Sequence, residues 1–173
     1  MPDIKDRIVR NTELLGLTNS WIDSADNKVS IFCAVFSIIY GVITFGIETI
    51  KSRQALPDGT TRSAVIALII ISALLMATSL SLYLSAIIPK LISAKKKTNK
   101  VSLFYGDIAK VTFEEFREFE KSLTDDRYNK EILSEVYINS KICSAKMKKF
   151  KIGVYLSILA VTCSIAALVI LIL

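Results

Sequence analysis

The chain has 173 residues, of which 52% are hydrophobic and 22% charged, with a net charge of +6. This apolar share, gathered into three runs, excludes an ordinary soluble domain. With no histidine in the chain, Ser-His-Asp triads, Cys-His pairs and histidine metal sites are excluded as well.

Residues 1–28 are expected to form an N-terminal helix. Over residues 3–22, Ile4, Ile8, Leu15 and Ile22 fall on one side, while Asn19, Asp23 and Asp26 form another stripe at steps of four and three. No Pro or Gly interrupts the chain between Leu17 and Tyr40, so this helix should continue into the first uncharged run, Val29–Ile47. The residues before that run include Asp3, Asp6, Glu13, Asp23 and Asp26. Such an acidic lead is unlike a cleavable signal, and the span is expected to stay in the mature protein. The sequence LPDG then marks a turn within 48–62.

A second uncharged run, Ser63–Pro89, ends at a cluster of lysines that includes Lys95, Lys96, Lys97 and Lys100. Residues 98–112 are the least helical part of the chain. Thr112 and Glu115 have the spacing of a capping box, with Val111 and Phe116 as a hydrophobic staple, which predicts a short helix over about 113–122. Thr124 starts another helix, with Asp125 and Asp126 in its first turn. Its apolar positions Ile132, Val136, Cys143, Met147 and Phe150 keep a helical spacing up to the third uncharged run, Ile152–Leu173.

Each run is long enough to cross a hydrocarbon core of ~30 Å, which takes about 20 helical residues. The expected fold class is therefore an all-α membrane protein. Three transmembrane helices (29–47, 63–89 and 152–173) should join a small cytoplasmic helical bundle, built from the extensions of helices one and three plus a short helix. Nineteen of the 22 Lys and Arg residues lie in 1–28 and 90–151. Positive charge stays on the cytoplasmic side, so these segments should be cytoplasmic and the 48–62 loop should face out. The same rule accounts for the positive charge without invoking a nucleic-acid polymer. Cys33, Cys143 and Cys163 show no ligand or disulfide spacing and are expected as free thiols. No metal or cofactor is expected.

None of the three spans has a charged residue in its middle, which argues against a dedicated ion pathway within one subunit. Small residues form stripes: Ser30, Ala34, Ser37 and Gly41; Ala73, Ala77, Ser81 and Ser85; Ser157, Ala160, Ser164 and Ala167. These could serve packing within one chain or a homo-oligomer interface.

Three polar clusters remain. In WIDSADNK, Trp21 and Lys28 suit an interfacial anchor and a snorkelling lysine. Asp23 and Asp26 could pair with Lys141, Lys146 or the 95–100 cluster, or could bind something. In SLFYGDI, Phe104 or Tyr105 could stack on a planar ligand, Gly106 allows close approach, and Asp107 could accept from a base N–H. In VYINSK, Tyr137 and Lys141 stand one helical turn apart with Ser140 beside them.

These clusters carry a resemblance from about Asn19 to the C-terminus. An Ala-Asp-x-Lys motif (Ala25–Lys28) precedes the first span, followed by a Phe-aromatic-Gly-Asp-Ile motif (Phe104–Ile108), the short acidic-aromatic FEEF, and a Tyr-x-x-Ser-Lys-like start to the last long helix. In order and placement they resemble the transmembrane effector family of the bacterial Pycsar anti-phage systems. The resemblance implies a non-enzymatic effector that binds cyclic UMP or cyclic CMP on its cytoplasmic side. The activated protein would then impair the inner membrane, ending infection abortively. Lys28 or Lys141 could meet the phosphate and Tyr105 or Tyr137 the base, with Asp26 and Asp107 contacting ribose or base, or orienting those lysines. A related effector would answer to cyclic di- or oligonucleotides. A competing reading is a membrane scaffold or assembly protein with a structural salt-bridge network.

Overall fold

Long uncharged runs without internal proline leave the backbone only one way to satisfy its polar groups in lipid, which is helix. The computed structural model describes residues 3–53, 59–88, 103 and 105–172. Among these residues there are helices and no strand: α1 (Ile4–Arg53), α2 (Thr60–Ile87), α3 (Tyr105–Ile108), α4 (Phe113–Lys121) and α5 (Asp125–Ile172). Helices α1, α2 and α5 each contain a stretch long and apolar enough to cross a membrane. The chain is an all-helical membrane protein.

Two compact units share the long helices. One draws on Met1–Ala25 and Pro89–Ala145, the other on Asp26–Ile88 and Lys146–Leu173. In the first unit, Ile4, Ile8, Leu15 and Ile22 are half-buried, but the most buried positions between them are the polar Asn11 and Thr18. Asn11 donates from Nδ2 to Asn129 Oδ1 at 2.6 Å. Thr18 satisfies its own hydroxyl on Leu14 O, one turn back. Helix α4 begins with the capping box that its sequence announces, Thr112 and Glu115 exchanging side-chain to backbone bonds. Its buried Phe119 carries the Arg127 guanidinium over its ring at 5.0 Å.

In the second unit, large apolar residues such as Ile38, Val42, Phe45, Ile70 and Leu74 point outward. The interior is small and hydroxylated. Ser79 bonds Ser157 Oγ at 2.6 Å and donates to Gly153 O at 2.8 Å, and Tyr83 reaches the same Ser157 at 3.2 Å. One heptad away, Ser72 bonds Ser164, with Tyr40 at 3.2 Å. The pairs 72 with 164 and 79 with 157 make α2 and α5 antiparallel. Apolar clusters flank this hydroxyl seam: Ile47, Val65, Ala167 and Leu171 at one end, and Val29, Tyr83 and Ala86 at the other. Small side chains let the backbones close up, and each cross-helix hydroxyl bond contributes about 0.6 kcal/mol in lipid.

Of the three small-residue stripes, only Ser157, Ala160, Ser164 and Ala167 is buried. The α1 stripe and most of the α2 stripe face outward, because α2 packs through Val65, Ser72, Met76, Ser79 and Tyr83. Along α5, buried and half-buried residues recur at steps of three and four from Asn129 to Leu171. This seam passes through Lys146, and Met147, which the apolar spacing had placed on it, is exposed. The reason lies on another helix, as the next section shows.

Candidate ligand-binding site

The sequence clusters divide between the two units, and each group is described within its own. In the second unit, Asp26 follows the buried Ala25 on α1, just ahead of the fully buried Val29. Lys146 of α5 sits on the buried seam, its side chain only 11% exposed. Its ammonium donates to both carboxylate oxygens of Asp26, at 2.6 and 2.7 Å. Asp26 keeps 34% of its side-chain surface open. An ammonium that leaves water needs a counter-charge, and the double contact supplies it. This is why the seam can run through a lysine. One turn further on, Lys149 donates to the carbonyl and hydroxyl of Ser85, at 2.9 and 2.8 Å, covering a carbonyl in the last turn of α2. Lys28 is exposed.

In the first unit, Tyr137 and Lys141 meet as their one-turn spacing requires, the ammonium standing 4.3 Å from the ring centroid. Both are exposed, and Ser140 beside them returns its hydroxyl to Val136 O. Gly106 and Asp107 are half-buried. Within the stretch read as the least helical, Tyr105–Ile108 form one helical turn. Backbone bonds from Lys110 to Asp107 and from Val111 to Ile108 close it, and Lys110 approaches the Asp107 carboxylate at 3.8 Å. Phe104, the side chain of Tyr105 and the lysines at 95–100 lie outside the described residues.

Among the described residues no group of three or more His, Cys, Asp or Glu side chains comes together as a metal site would require. What the arrangement offers instead is cations beside aromatic and acidic groups, on helices that also form the membrane spans. The Pycsar effector protein domain matches residues 11–173. The chain belongs to that family. No curated protein and no solved structure matches it. The match opens earlier than Asn19, where the sequence motifs begin, and so takes in Asn11 and Thr18, the buried polar positions of α1. Membership makes this Pycsar effector an anti-phage transmembrane protein.

Lys146 was legible in the sequence only as one of several possible partners for Asp23 and Asp26. A sharper signal was available. Lys146 continues the three-and-four spacing of Val136, Asn139 and Cys143 towards Phe150, and a lysine on a buried stripe demands an acid opposite.

Proposed function

We propose that this Pycsar effector binds a cyclic pyrimidine nucleotide, cyclic UMP or cyclic CMP, on the cytoplasmic side of the inner membrane, and then impairs that membrane to abort infection. The protein binds its ligand and does not transform it. Family membership carries this reading, and the sharing of α1 and α5 between the two units supports it. Groups suited to a cyclic mononucleotide are Gly106, Asp107, Tyr137, Ser140 and Lys141 in the first unit, and Asp26 and Lys28 on α1 in the second. The basic bias supports a cytoplasmic side for residues 1–28 and 90–151.

Calorimetry on the detergent-solubilised protein tests the ligand. Asp107→Ala and Lys141→Ala should each weaken binding about tenfold or more, the scale of one lost charge-assisted contact, with membrane abundance unchanged. Variants that bind as wild type does, or a wild type that binds neither nucleotide, would refute this site and this ligand.

The reading includes self-association, since a lesion by a protein without charged spans needs several copies. The two outward stripes border a groove of about 330 Å³, lined by Ser37, Tyr40, Gly41, Ala73, Met76, Ala77 and Leu80. A close helix approach from a second copy suits such a surface. Ala77 and Ser81 are exposed, so leucine at both leaves the protein's own packing intact and should abolish self-association and toxicity together. Normal toxicity in that double variant would remove this stripe from the interface.

A further inference from the structure

We propose that the Asp26–Lys146 pair is an exchange latch: Lys146 is the binding group for a phosphodiester anion, and Asp26 is the counter-ion that occupies it at rest. The inference rests on the reading of a ligand-gated effector and assigns the gating step to two side chains of the second unit. The geometry is specific. The Lys146 ammonium is nearly buried and holds both oxygens of one carboxylate. Two other lysines of α5 are differently engaged, Lys149 on Ser85 and Lys141 over Tyr137.

A buried ammonium cannot stand alone, but it can change partners. A phosphodiester bears the same single negative charge as the carboxylate and accepts the same kind of short N–H···O bond. Exchange therefore keeps the ammonium neutralised throughout. Asp26 loses little by it, because it is a third open to solvent and can turn its carboxylate to water. What is lost is a tie between α1 and α5 at the start of the apolar runs. Beyond it, α1 meets α5 through the edge-to-face pair Phe32–Phe150, 5.2 Å between centroids, which is apolar and has no fixed hydrogen bond. An anion that binds the untied state better than the tied one shifts the protein towards it, by as much as those affinities differ. The phosphodiester can belong to a cyclic nucleotide or to an anionic lipid headgroup, and the chemistry at Lys146 is the same.

The test is potassium leak from vesicles bearing the full chain, in phosphatidylcholine alone or with phosphatidylglycerol, with and without cyclic UMP or cyclic CMP. Asp26→Asn should leak without any nucleotide, about tenfold above wild type, a usual size for coupling between sites. Lys146→Gln at equal abundance loses the same tie, so it should leak without nucleotide and gain nothing from either one. The reversed pair, Asp26→Lys with Lys146→Asp, restores the tie and should stay tight. An abundant Asp26→Asn that does not leak overturns the latch. So does a Lys146→Gln protein or a reversed pair that responds to nucleotide as wild type does, and these two decide the matter if Asp26→Asn is not recovered. A wild type opened by phosphatidylglycerol and indifferent to nucleotide, beside a leaking Asp26→Asn, keeps the latch, assigns the anion to lipid and removes the cyclic-nucleotide reading.

Discussion

Gly153→Leu should deplete the protein from the membrane. A Cβ at this position would lie 2.6 Å from Tyr83 Cε1, and 3.0 and 3.1 Å from two further atoms of the same ring. Tyr83 is fully buried, its hydroxyl is within 3.2 Å of Ser157 Oγ, and its ring packs towards Phe150 at 6.4 Å between centroids. The ring thus has nowhere to withdraw. Even alanine overfills the space, and leucine would also push α5 away from Ser79, which donates to Gly153 O. Overpacking of a closed interior costs about 1–3 kcal/mol or more. Membrane abundance and thermal stability in detergent would measure it. Adding Tyr83→Ala should recover part of the loss; no recovery would mean that the ring contact is not its cause.

The second large effect belongs to the other unit. Asn11→Leu and Asn129→Leu should each destabilise the protein, by about 1–3 kcal/mol, because each leaves the facing buried amide without a partner. Among the described residues no buried side-chain polar atom lacks one now. The double variant removes both amides and should be less damaged than either single one. A double variant whose loss equals the sum of the two would show that the two asparagines act independently, contrary to their 2.6 Å bond.

These residues mark how far the sequence could be read. Asn11, Ser72, Ser79, Ser157 and Lys146 are polar, and a periodicity of apolar residues passes over them. Helical spacing groups side chains into faces, but it says nothing about what stands opposite. Met147 and Lys146 differ by one step on α5. Apolar character favoured the first, while the Asp26 carboxylate on α1 brings the second inside. The three small-residue stripes looked alike in sequence, yet only the α5 stripe is buried. Serine costs little on either side of a transmembrane helix when its hydroxyl can bond back to the carbonyl four residues earlier, as Ser37 and Ser81 do.

By itself the sequence determined that three uncharged runs become long helices, because a backbone in lipid has to bond within its own segment. It also determined where α4 begins, because Thr112 and Glu115 satisfy the first turn locally. Both are decisions made within a few residues of chain. Only the tertiary structure decided which lysine answers Asp26, which serines meet across α2 and α5, and which stripes stay exposed. Those choices depend on pairs separated by 120, 78 and 92 residues, and the energy of a buried polar group is settled by the partner it meets, not by its neighbours along the chain.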